Sequence, residues 1–270
     1  MKKIKILSIA LLAIFSINAN AGHHEESSQT AVGVAYSMTV TDPQAVVQAM
    51  TAYWNSPTGK KNKGVATLRQ VVAGGENPAT HTIAVSYPSY EAMDDVMELN
   101  ANSPDAAAFY QAMSGAATIT SRMAFDSSGI TSGNAASVTN ALPVTAYFMM
   151  NVSDPASYVK AWKKVSSSGG GDTASSLFAI TADGDLGITH GIAVRANDMA
   201  TLMSSIKANQ SAPEWAEFIS EVTPIRSMKR RMITKTWQCL AASSPQPHLS
   251  NHLGLSFSQR PYTCAASCRA

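Results

Sequence analysis

No cysteine occurs before Cys239 in this 270-residue chain, and the three present, Cys239, Cys264 and Cys268, crowd into its final segment. A disulfide framework for the main body is thereby excluded, as is a cysteine-based metal knuckle within it. Charge is scarce as well: Asp, Glu, Lys and Arg make up 14% of the residues, against about 25% in ordinary soluble domains. Nowhere do basic residues cluster with interleaved aromatics, so a nucleic-acid footprint is not expected. The glycine-containing pairs Gly74-Gly75 and Asp183-Gly184 fall in neither a phosphate-loop nor a dinucleotide pattern. No Ser-His-Asp order or Cys-His arrangement is legible, and no metabolic-cofactor signature is present, so no cofactor is expected. Long apolar runs are missing except for Ile6 to Ile17.

That single run has the flanks of a secretory signal. Lys2, Lys3 and Lys5 precede it, and Ala19-Asn20-Ala21 supplies a small-x-small cleavage site. Residues 1–21 are read as a signal peptide, which places the working protein in the periplasm or outside the cell with no remaining membrane span. The formal charge of +2 includes the three lysines, and residues 1–21 hold no acid, so the mature charge is −1. Cleavage after Ala21 leaves Gly22-His23-His24 at the new N-terminus. An amine, two amide nitrogens and an imidazole at position three form a square-planar set suited to Cu(II). Residues 22–31 are read as a flexible His/Glu leader.

What the chain has in abundance is self-similarity. Thr80-His81-Thr82-Ile83-Ala84-Val85 returns as Thr189-His190-Gly191-Ile192-Ala193-Val194, 109 positions later. At the same offset Leu68 meets Leu177, Asn100 meets Asn209, Phe109 meets Phe218 and Arg122-Met123 meets Arg231-Met232. Upstream, Tyr36 to Pro43 matches Phe148 to Pro155 at an offset of 112, so the second copy has lost three residues between the two registers. One supersecondary unit has been duplicated.

The unit reads βαββαβ. Val34 to Val40 alternates as a strand, Asp42-Pro43 starts a helix, and Ala66 to Ala73 and Thr80 to Tyr87 form two strands around a turn. A helix begins near Ser89, restarts at Ser103-Pro104, and Ala117 to Phe125 closes the copy. The second copy repeats this order from Asp154-Pro155 to a last strand over Ser227 to Trp237. The expected class is therefore α+β: two tandem ferredoxin-like repeats, residues 32–127 and 144–237, joined by a linker over 128–143. Each repeat leaves one sheet face bare, and packing sheet to sheet as an intramolecular α/β barrel covers both. Residues 238–270 are Ser/Pro-rich, lack acids and read as a disordered tail. Its His248, His252, Cys264 and Cys268 have ligand-like spacing for zinc, but the composition favours disorder.

In element order and duplication, residues 32–237 resemble the α/β-barrel superfamily of antibiotic-biosynthesis monooxygenases, stress-responsive A/B barrels and chlorite dismutases. That resemblance implies two paired ferredoxin-like units. For activity it implies a choice among cofactor-independent oxygenation, haem chemistry and none, because no catalytic motif of those families is matched.

The matched positions supply the candidate site. His81 and His190 start equivalent strands, and a pseudo-two-fold arrangement would bring them together to share a metal or face a haem iron. Satisfaction by a neighbouring loop is the simpler reading of each. Arg122 and Arg231 sit on the closing strands, where alternation groups Arg122 with Thr118 and Thr120. If that face lines the barrel, these guanidiniums would anchor a carboxylate or phenolate. Tyr36 and Trp54 complete the set. The expectation is an exported binder of a small apolar or aromatic molecule, a monomer or weak homo-oligomer, with a monooxygenase or haem enzyme as the alternative.

Overall fold

Both copies fold as the duplication implies. The computed structural model describes residues 31–166, 171–184 and 186–241. The expected signal peptide, Gly22, His23, His24 and the residues with zinc-like spacing lie outside these. The first half runs β1 (Val32–Val40), α1 (Pro43–Asn55), β2 (Val65–Ala73), β3 (His81–Tyr87), α2 (Tyr90–Ala101), α3 (Pro104–Ala116) and β4 (Ala117–Gly133). The second runs β5 (Val144–Val152), α4 (Pro155–Ser166), β6 (Thr173–Ala182), β7 (His190–Ala196), α5 (Met199–Gln210), α6 (Pro213–Val222) and β8 (Arg226–Ala241).

Local chemistry explains the helix starts. The Asp42 carboxylate accepts the Ala45 N–H at 3.0 Å, Asp154 accepts that of Ser157 at 3.1 Å, and proline holds the first helical position after each. Ser89, Ser103 and Asp198 cap α2, α3 and α5 in the same way.

The strands close into one barrel in the order β1-β3-β2-β8-β5-β7-β6-β4. Each half contributes four neighbours, and the halves are sewn together by β2 against β8 and β4 against β6. The closing strands are long because each serves both halves: β4 pairs β1 over Ala117 to Asp126, then β6 over Ala124 to Gly133. Closure leaves no open sheet edge. Residues 128–133, expected as linker, thus continue β4, and residues 238–241, expected as tail, complete β8.

Alternation sends the strand side chains to two environments. The outer face packs under helices: Met38, Leu68 and Ile83 meet Val46, Met50 and Tyr53 in the first half, while Met150, Leu177 and Ile192 meet Tyr158, Trp162 and Phe218 in the second. The inner face fills the barrel, where Met123, Met149 and Ile188 cluster with Tyr147, Phe178 and Ile180.

Candidate functional site

Register decides what each candidate residue touches. His81 lies on the outer face with Ile83, buried beneath the helices of its half. Its Nδ1 is 3.0 Å from Thr80 Oγ1, and the Trp237 ring packs edge-on at 4.8 Å between centroids. Thr80 Oγ1 accepts the Val40 N–H at 2.9 Å and lies 3.5 Å from the Met38 carbonyl oxygen, to which it can donate, so the direction of its bond with His81 follows the imidazole tautomer. His190 repeats the arrangement with Thr189 at 2.9 Å, and Thr189 accepts the Val152 N–H. The Thr80 and Thr189 hydroxyls thus tie the start of each strand to the end of the first strand of its half, and each histidine bonds its neighbouring threonine. The two lie under separate helix layers and do not meet, and burial lowers the pKa of both. Among the described residues no group of three metal-ligating side chains occurs.

The arginines are displaced from their expected face by a β-bulge. Ser37 pairs Ser121 but Met38 pairs Ile119, so Thr120 is the extra residue and the alternation reverses across it. Arg122 consequently shares the outer face with its partner Tyr36, not the barrel interior. Lys229 makes the same bulge in the second half, and Arg231 falls beside Phe148 on the outer face. Both arginines are exposed. Trp54 is core, packed edge-on against Tyr53 at 4.9 Å.

Around Tyr36 the first half gathers a set of phenols. Tyr36 and Tyr87 come from the outer faces of β1 and β3, Tyr53 from α1 and Tyr110 from α3. The Arg122 guanidinium lies 5.9 Å from the Tyr36 ring centre. Tyr53 is held on both sides: its hydroxyl donates to Asn100 Oδ1 at 2.6 Å and accepts from Asn62 Nδ2 at 3.1 Å. Asn62 Oδ1 in turn accepts the Gly64 N–H at 2.8 Å. Gly64 leaves room for the Tyr87 ring, which a Cβ there would approach to 2.8 Å.

Burial above all keeps Tyr36, Tyr53 and Tyr87 neutral. Burial, followed by the proximity of Tyr36, Tyr53 and Tyr110, pushes Tyr87 up to about 12. Burial and Tyr110 also raise Tyr36, with Arg122 opposing, and burial raises Tyr53 despite its amide partners. The site therefore offers protonated hydroxyls, aromatic faces and one cation.

The residues singled out in the sequence include Tyr36 and Arg122 of this group but not Tyr53, Tyr87, Tyr110, Asn62 or Asn100. A usable signal was present in the offsets. Tyr36, Tyr53, Tyr87 and Tyr110 correspond to Phe148, Val165, Ala196 and Ile219, so the second copy lacks every phenol of the set.

A closed eight-stranded barrel assembled from two βαββαβ halves, with helices outside, is a tandem ferredoxin-like α/β barrel. No protein-family model matches the chain, and no curated protein sequence matches it. Solved structures do. A monooxygenase candidate from Fusobacterium nucleatum subsp. nucleatum is 13% identical with a TM-score of 0.53, covering 78% of this chain and 94% of that one. An anthrone oxidase-like protein is 11% identical with a TM-score of 0.52, covering 82% and 96%. A chlorite dismutase from Candidatus Nitrospira defluvii is 8% identical with a TM-score of 0.47, covering 78% and 92%. At these identities the likeness is one of fold.

Proposed function

We propose that this chain binds a small aromatic molecule at the tyrosine-lined outer face of its first half. The observation that carries the reading is the asymmetry of the duplication: four phenols in one copy stand where the other has Phe, Val, Ala and Ile. Tyr53 answers a scaffold requirement through Asn100 and Asn62, which leaves Tyr36, Tyr87 and Tyr110 without such a role in the packing of their own half. A requirement confined to one copy points to a ligand. Aromatic faces and neutral hydroxyl donors suit a flat molecule bearing oxygen acceptors, and Arg122 at the exposed margin suits partial negative charge on it. The test is calorimetric titration of the mature protein with a panel of phenols and fused-ring ketones. Saturable binding abolished by a Tyr36→Phe/Tyr87→Phe double variant supports the reading; a panel with no binder removes it.

A second reading makes the bound molecule a substrate for cofactor-independent oxygenation. It is favoured by the fold neighbours named as a monooxygenase candidate and an anthrone oxidase-like protein. Oxygen uptake with anthrone, dependent on Tyr36 and Tyr87, separates this reading from simple binding. Haem fits less well at His81, whose Nε2 is buried against the core with Trp237 packed on the ring. We place the protein outside the cytoplasm, a reading supported by the leader pattern of residues 1–21 and by a disulfide at Cys239.

A further inference from the structure

The barrel is closed, but β4 outruns it. β1 begins at Val32 opposite Asp126, and the ladder between them ends where the Ser127 N–H donates to the Ala31 carbonyl at 2.7 Å. Beyond that point β4 pairs β6 on one side, and among the described residues no backbone pairs its other edge. Antiparallel pairing turns the N–H and C=O of every second residue toward that edge. Thr131 and Gly133 are exposed there. An unpaired edge of this kind is a template for another strand.

Beside this stretch runs an open groove of about 430 Å³, lined by Gly129, Ile130, Thr131 and Ser132 of β4 and by Lys163 and Ser166 of α4. The duplication explains the space. Thr51 and Trp54 of α1 correspond to Lys163 and Ser166, and Trp237 of β8 corresponds to Ser128. The first half packs Trp54 and Trp237 into its core at this place, and Gln238 donates to Thr51 Oγ1 at 2.9 Å. Smaller side chains leave the second half open, and Lys163 forms no salt bridge among the described residues.

The halves differ again in the chain that leads into their first strand. Thr236 donates to the Pro143 carbonyl as Ser127 does to Ala31, but before Pro143 the chain is drawn away, with Asn140 donating twice to Asn197. Ahead of Ala31 stand the nine residues Gly22 to Thr30, which contain no proline, where six suffice to line Ser128 to Gly133. Continuing the Val32–Asp126 register sets Thr30 level with Ser128 and Glu26 level with Ser132, on the outer face that Ile130 shares. We propose that residues Glu25 to Thr30 extend β1 along the unpaired edge of β4 and bring the Glu25-Glu26 carboxylates to Lys163. Main-chain hydrogen bonds hold the added strand, and the match of acid to lysine sets its register. This strap is independent of the tyrosine face.

The experiment measures amide hydrogen exchange by NMR on protein beginning at Gly22 and on a form beginning at Ala31, which keeps every strand and helix. Thr131 and Gly133 should exchange roughly tenfold or more slowly in the longer form, while Leu177 on β6 exchanges alike in both. Lys163→Glu in the longer form should lose part of that protection, and adding Glu25→Lys/Glu26→Lys should restore it. Equal exchange at Thr131 and Gly133 in the two forms overturns the proposal. So does protection that rises with protein concentration, which assigns the edge to a second copy of the chain. Should the shorter form misfold, the charge exchange decides within the longer one: Lys163→Glu exchanging like the parent overturns the proposal.

Discussion

The Arg122 guanidinium lies 5.9 Å from the centre of the Tyr36 ring, and the register that pairs them recurs as Phe148 beside Arg231 in the second half. The arginine is kept in both copies while the hydroxyl is kept in one. Arginine at this position covers an aromatic ring with its stem in both halves, and in the first its exposed head also borders the phenols, so the phenol is what distinguishes the halves.

Removing single hydroxyls should weaken ligand binding without unfolding the barrel. Tyr36→Phe and Tyr87→Phe are each expected to cost about 1 kcal/mol, or roughly fivefold in Kd for a phenolic ligand. Arg231→Ala should leave Kd unchanged. Calorimetric titration of the three variants against one phenol is the check, and a larger loss in Arg231→Ala than in Tyr36→Phe would place the site in the wrong half.

Tyr53 has a different role. Its hydroxyl satisfies Asn100 and Asn62, and Asn62 organises the turn before β2 through Gly64. Tyr53→Phe leaves those amides short of a partner, with an expected loss of about 1–3 kcal/mol in stability. Urea unfolding should show a lower midpoint at an unchanged m-value; a midpoint equal to the parent's would mean that the amides find other partners.

Stability should fall as pH drops below neutrality. Burial holds the folded pKa of His81 and His190 below the ordinary value of 6.5. The unfolded chain therefore takes up protons at a pH where the folded one does not, and that uptake drives unfolding. The loss begins near the unfolded pKa of about 6.5 and continues until the lower folded pKa is passed. Asp105, Asp154 and Asp198, lowered by the hydrogen bonds they accept, add their loss only in the more acidic carboxylate range. Urea midpoints at pH 7.5, 6.0 and 5.0 should decline, with a shallower decline in His81→Phe/His190→Phe. An equal slope in that variant assigns the effect to other groups.

The fold was legible because duplication amplifies weak signals. Asp42-Pro43 and Asp154-Pro155 mark the same helix start twice, and each confirms the other. The ends of β4 and β8 were not, because their extensions pair with the opposite half, and alternation within one copy carries no trace of that partner. The face of Arg122 was lost to one inserted residue at Thr120, since a bulge leaves no mark in residue type and reverses everything beyond it. His81 and His190 drew notice as matched residues, yet matching is what a shared scaffold produces. The unmatched tyrosines are what the proposed site rests on, and matching does not single them out.

Close packing at Gly33 offers a check on the barrel itself. A Cβ there would lie 2.1 Å from the Val85 carbonyl oxygen and 2.8 Å from the Phe125 ring. Because the first obstacle is backbone, Gly33→Ala must shift β1 against β3, at a cost of about 1–3 kcal/mol or more. Gly75→Ala meets no neighbour but forces alanine into a positive φ of 62°, for about 1 kcal/mol. Thermal unfolding should rank Gly33→Ala as the more damaging; the reverse order would contradict the β1–β3 register.

The central claim is that one half of a duplicated barrel carries an aromatic-binding site and the other does not. Its most direct test is the stoichiometry of 1-naphthol binding to the mature protein by calorimetry. The account predicts one equivalent per chain, lost in Tyr36→Phe/Tyr87→Phe and retained in Arg231→Ala. Two equivalent sites, or one site indifferent to the tyrosine pair, would contradict it.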